Sequence, residues 1–172
     1  MRNTLKVTLP SDREVLLTRT FNAPRRLVFD AMTQPDQLVH WYGPRGFTLP
    51  VCEIDLRPGG TWHFVLRGPD GEEMGMRGVY HEIDSPARMV STESYDLRGM
   101  GWTPESVVTM TLEEHDGKTM LTSRILYPSV EHRDGHVNSG MEAGAGETFD
   151  RLEELLAKAG DDEPNAERGN EP

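Results

Sequence analysis

Few side chains in this sequence are spaced for covalent chemistry, but many are spaced to line an apolar pocket. Trp62, Phe64 and Leu66 alternate, so in a strand they share one face. Met74 and Met76 do the same, as do Val108, Met110 and Leu112. Trp41 and Tyr42 close a short helical stretch, and Met141 lies in a long one. Taken singly, each of these residues is ordinary core. Together they are a bias, because nine methionines occur in a chain only 35% hydrophobic. Thioethers and aromatic rings make the soft lining of an adaptable pocket. Tyr80 and Tyr95 carry hydroxyls that could meet a polar ligand head.

The ionisable residues form no diagnostic motif. His132 and His136 are four apart, as metal ligands on one helix face would be, but no HExxH pattern surrounds them and Gly135 weakens the helix between them. They read as a helix start, and no metal or cofactor is expected. His63 falls on the strand face opposite Trp62 and Phe64. The candidates for an acid or base are Glu93, His63, His81, Arg77 and Tyr95, and the catalytic residues stay unassigned. Cys52 has no basic neighbour in sequence to activate it and reads as a small hydrophobe. No nucleophile elbow, phosphate loop or paired zinc motif is present.

The 172 residues suit one domain with a real core. Eighteen Lys and Arg against 29 Asp and Glu give a net charge of −11, which disfavours a nucleic-acid backbone as partner. A single cysteine excludes an intramolecular disulfide. No apolar run reaches signal-peptide or membrane-span length, so a cytoplasmic protein without membrane insertion is expected. The domain is expected over residues 12–159, followed by a disordered acidic tail over 160–172.

The elements that must position these residues follow from pattern and punctuation. A strand over 14–21 ends at Asn22-Ala23-Pro24, which starts a helix over 24–32. Pro35 opens a second short helix over 35–42. Six strands follow, over 48–56, 61–67, 73–83, 88–95, 105–115 and 118–127. Pro-Gly-Gly, Pro-Asp-Gly and Asp-Gly turns separate several of them. A long helix over 131–159 closes the chain. Strands segregated from helices argue α+β, with an antiparallel sheet covered on one face. Gly59, Gly60, Gly75 and Gly78 would let that sheet bend around the helix. The helix carries an apolar stripe, yet Gly140, Gly144 and Gly146 interrupt it, each at roughly 1 kcal/mol against alanine. Side chains missing from a helix leave close contact or empty space, and the bent sheet points to space.

These blocks also carry a resemblance. TRTFNAPRRLVFDAMTQPDQLVHWYGP, LRPGGTWHFVLRGPDG, GVYHEIDSPARMV and SGMEAGAGETFDRLEELL resemble the family of activator of heat-shock chaperone ATPase homologues, within the START-like (SRPBCC, birch-pollen-allergen-like) superfamily. The resemblance implies a helix-grip fold, a strongly bent sheet of about seven strands on a long C-terminal helix, with a deep apolar cavity between them. Many relatives place a bulky residue just after the position of Gly144. Ala145 and Gly146 stand there, so a roomier cavity is expected.

The residues expected to touch a ligand are Trp41, Trp62, Phe64, Met76, Tyr95, Met110, Met141, Gly144, Ala145 and Thr148. The expected function is binding of a hydrophobic small molecule, by a monomer or a homodimer. The alternatives are a cyclase- or hydrolase-type enzyme using the same cavity, and a regulator of a chaperone ATPase.

Overall fold

The computed structural model describes residues 4–162. Strand β1 (Lys6–Thr8) pairs with β2 (Glu14–Phe21), and two short helices follow, α1 (Arg25–Thr33) and α2 (Pro35–Leu38). Then come β3 (Thr48–Ile54), β4 (Thr61–Arg67), β5 (Glu73–Asp84), β6 (Arg88–Leu97), β7 (Ser106–His115) and β8 (Lys118–Leu126). Helices α3 (Val130–Asn138) and α4 (Met141–Asp162) complete the order. The sheet is antiparallel throughout, in the order β1-β2-β8-β7-β6-β5-β4-β3. This is the α+β helix-grip architecture.

The structure adds β1, an eighth strand at the sheet edge. Its three residues are too short to show alternation, and only pairing with Leu16, Leu17 and Thr18 defines it. The opposite edge is β3, where Pro50 and a register shift between Thr48 and Val51 suit a strand with one unpaired side. The element boundaries therefore start before residue 12 and pass residue 159. The tail residues 163–172 lie outside the described residues. Among the described residues no helix is long and apolar enough to cross a membrane.

The sheet's inner face is legible in strict alternation. On β2, Val15, Leu17, Arg19 and Phe21 are all buried. On β4 the inner residues are Trp62, Phe64 and Leu66, and on β7 they include Met110 and Leu112. At one end this face is sealed. Phe21, Val28, Phe29, Leu38, Leu112, Leu121 and Leu152 are almost wholly enclosed there. Phe21 and Phe149 meet edge to face with centroids 5.9 Å apart. Thr119 Oγ1 donates to the Ala23 carbonyl at 2.7 Å and fastens β8 to the start of α1. Gly78 is required in this region. A Cβ there would lie 1.9 Å from the Thr92 carbonyl oxygen and 2.4 Å from Trp62 Nε1. The bare backbone lets β5 and β6 close under the Trp62 ring.

Two sets of polar contacts hold the long helix against the rest. Arg19 points inward from β2 and meets Asp150 and Glu153 of α4, each at 2.8 Å. A buried pair of this kind is poor evidence for net stability but fixes how the helix is rotated on the sheet. Arg151 donates to the carbonyls of Gly43 and Pro44 at 2.8 and 3.2 Å, and to that of His40 at 3.2 Å. It clasps the loop between α2 and β3 onto the helix.

The expected single helix over 131–159 is two helices. Ser129 caps α3, its Oγ accepting from His132 N at 3.2 Å. Gly140 has φ +86°, which ends α3 and redirects the chain into α4. The glycine at 140 is thus a joint, and its helix-propensity cost does not arise. The second expected helix also stops early, at Leu38, and residues 39–46 continue as turns.

Candidate functional site

At the other end the sheet and helix part, leaving a cavity of about 1000 Å³. The floor is the inner face of the strands: Leu17, Ile125, Val108, Tyr95, Met74 and Met76, with Leu66 at the side. The roof is the start of α4, presenting Met141, Gly144, Ala145, Thr148 and Phe149. One wall is the clasped loop with Trp41, Tyr42, Pro44 and Phe47, and the other is α3 with Gly135 and His136. The volume is at the upper end of the range that holds drug-sized ligands.

The expected contact residues divide in two. Trp41, Met76, Tyr95, Met141, Gly144, Ala145 and Thr148 border the cavity. Trp62, Phe64 and Met110 do not, and this corrects their placement. All three are on the inner face, as alternation requires, but in packed core. Phe64 is shielded by Tyr42, whose ring stands edge-on at a centroid distance of 5.2 Å. Trp62 packs on Phe64 at 4.9 Å and on the bare backbone at Gly78. Met110 sits between Val108, which reaches the cavity, and Leu112 of the sealed end. Alternation finds the face of a strand but not the position along it at which packing stops.

The roof glycines also differ from one another. A Cβ on Gly144 would reach only Pro44 Cγ, at 3.6 Å. Gly146 does not border the cavity, and its carbonyl lies 3.5 Å from Arg19 Nη1. Thr148 Oγ1 donates back to the Gly144 carbonyl at 2.8 Å, so its methyl is the part free to meet a ligand. Trp41 likewise spends its indole N–H on the Ala31 carbonyl at 2.9 Å and offers the ring.

Beside the charged residues Asp70, Glu72, Glu73, Arg98 and Glu131 that also border it, this largely apolar chamber holds a polar cluster. Glu93 and Tyr95 are two apart on β6 and both face inward, and Tyr95 donates to Glu93 Oε1. Ser106 of β7 is opposite Glu93 in register and shares its face. The Tyr127 hydroxyl and His136 Nδ1 lie 2.5 Å apart, and the Tyr95 and His136 rings are 5.8 Å apart. The Tyr42 hydroxyl completes the group, 3.7 Å from Met76 Sδ. Burial raises the Glu93 carboxyl above its ordinary range, with Tyr95's hydrogen bond opposing. Burial also raises the Tyr42, Tyr95 and Tyr127 phenols and lowers His136, so the histidine is held neutral. A carboxyl, three phenols and a neutral imidazole can give or accept hydrogen bonds and move a proton.

Sequence reasoning singled out Tyr95 and named Glu93 without assigning its side. Alternation from Tyr95 places Glu93 on the same face. Tyr127 follows Ile125 in the same way. His136 was weighed only for its spacing from His132, because its place in the cluster depends on where Gly140 turns the chain.

The remaining candidates lie outside this cluster. His132 does border the cavity, but its Nδ1 is 2.7 Å from Ser129 Oγ, so the two α3 histidines have different partners. Tyr80 is buried in the core off the cavity wall, and His81 is exposed. His63 and Arg77 flank Trp102 on the outer face, with the Arg77 guanidinium 4.0 Å from the indole centroid. Trp102 therefore does not plug the cavity. Burial raises the Cys52 thiol to about 11, the reverse of an activated nucleophile.

Comparison with known proteins agrees with this architecture. A structure from Rhodobacter sphaeroides matches with a TM-score of 0.81 at 27% identity, over 90% of this chain and 98% of the other. One from Mycobacterium smegmatis matches at 0.80 and 27% identity, over 90% and 97%. A protein of Nitrosomonas europaea matches at 0.78 and 25% identity, over 89% and 99%. No curated protein matches the sequence. The profile of one family spans residues 22–157, from just before α1 almost to the end of α4. The chain belongs to that family, the activator of Hsp90 ATPase homolog 1-like proteins.

Proposed function

We propose that this protein holds one apolar or amphipathic small molecule in the cavity between the sheet and α4. The family's fold is of the kind that encloses a ligand cavity. The observation that carries the reading is the cavity itself: about 1000 Å³, walled by methionine, aromatic and aliphatic side chains, with one polar cluster. The proposed contacts are Trp41, Met76, Tyr95, Met141, Gly144, Ala145 and Thr148. The test is Ala145→Trp, which places an indole in the roof while leaving the gripping half of α4 untouched. Binding of Nile red, followed by fluorescence, is expected to weaken about tenfold or more, a loss of about 1.4 kcal/mol. The melting temperature should stay near that of the parent. Unchanged Nile red binding would remove α4 from the site and the reading with it.

Catalysis in the same cavity is a second reading, favoured by the convergence of Glu93 with Tyr95, Tyr127 and His136. A carboxyl in an apolar chamber beside phenols can take a proton from carbon next to a carbonyl and return it. The check is exchange of the α-protons of 2-decanone into D2O, followed by NMR. Acceleration by the parent protein and its loss in Glu93→Gln would support this reading. Equal rates with and without protein would end it.

A further inference from the structure

We propose that Glu93 receives the head of the bound molecule, accepting a hydrogen bond from a hydroxyl or amine, so that the cavity takes alcohols, phenols and amines and refuses carboxylates. The inference rests on the cavity being a ligand site and adds what that ligand must carry.

Three observations support it. The first is an unfilled acceptor. Glu93 Oε1 is engaged by Tyr95, and among the described residues its other oxygen has no protein partner. The side chain borders the cavity, so that oxygen can be reached only by something inside it. That oxygen is open to the cavity, so a donor on the guest can take the place of the water that would otherwise solvate it.

The second is the state of its neighbours. Tyr127 is committed to His136, and Tyr42 points at the Met76 sulfur. The phenols and the imidazole are uncharged in this setting, so none supplies a positive charge. The third is the charge of the lining. Asp70, Glu72, Glu73 and Glu131 join Glu93 around the cavity. Among the described residues Arg98 is the only Lys or Arg that borders it, its guanidinium 2.7 Å from Glu72, and the second imidazole there, His132, is engaged with Ser129 Oγ. A carboxylate head would therefore meet like charge with no free cation to receive it, whereas a donor head would find an acceptor in place.

The experiment compares heads on one tail. On the full chain at pH 8, 1-decanol, decylamine and decanoate compete with bound Nile red. The alcohol and the amine are expected to displace it at concentrations about tenfold or more below decanoate, the ratio that about 1.4 kcal/mol of discrimination gives. Glu93→Gln turns one carboxyl oxygen into an amide donor. It should tighten decanoate, weaken decylamine and close most of the alcohol–acid gap, each competitor read against that variant's own Nile red affinity, with circular dichroism unchanged. Equal displacement by decanol and decanoate in the parent protein would overturn the proposal. So would an unchanged ranking in Glu93→Gln, or Nile red binding that none of the three competes with. Failure of Nile red to bind the parent protein would instead take down the cavity reading itself.

Discussion

The two halves of α4 face the same sheet and do opposite things. From Phe149 onward the helix presents Leu152 and Leu156 to a sealed core, and Arg19 locks its rotation. Before Phe149 it presents Met141, Gly144, Ala145 and Thr148 to a void. The difference is one of side-chain volume and not of backbone geometry. Apart from Met141, every residue of the first half that faces the space is small, or is turned back on the helix as Thr148 is. One helix thereby anchors the domain with its second half and leaves a chamber under its first.

The comparison can be broken most sharply by truncation. Leu152→Ala should cost about 2–5 kcal/mol, because a fully buried leucine leaves a hole in packed surroundings. Met141→Ala, on the chamber wall, should cost only about 1–2 kcal/mol, since mainly the transfer term of the lost groups remains. Chemical denaturation of both variants measures the contrast. Equal costs would mean that the chamber is as tightly packed as the sealed end.

A smaller effect of opposite sign is expected from Glu93→Gln. With its carboxyl raised above the ordinary value of 4.5, the folded protein keeps a proton that the unfolded chain has already released. Stability therefore falls as pH rises from about that value through the raised one, and the penalty is complete above it. The variant should match the parent in acid and melt roughly 2–4 °C higher at neutral pH, the shift that about 1 kcal/mol produces in a domain of this size. His136 acts in the other direction. Its value is lowered from 6.5, so its contribution is lost as pH falls below that. Melting temperature against pH for both proteins separates the two. A constant difference across the range would show that Glu93 is hydrated like a surface carboxylate.

Much of the fold was legible in residue order. Strands with their turns, the α+β class and the inward faces all follow from alternation and from Gly and Pro. What alternation could not supply was depth along a strand. Trp62, Phe64 and Met110 were assigned to the right face but to the wrong end of it, because only tertiary packing decides where Tyr42 covers Phe64. The break at Gly140 was hidden for a related reason. Glycine inside a periodic stretch reads equally as a missing side chain and as a joint, and the positive φ that separates the two belongs to the folded chain. β1 left no pattern in three residues. The polar cluster was half visible: Glu93 and Tyr95 share a period, while Tyr127 and His136 meet only after the chain has turned.

The three tryptophans also divide the molecule optically. Trp41 stands on the chamber wall, Trp62 in the sealed core, and Trp102 outside under Arg77. Their emission therefore comes from three separate environments, one for each layer of the fold. A guest in the chamber touches the first and leaves the other two as internal references, so the chain carries its own dye for whatever enters it.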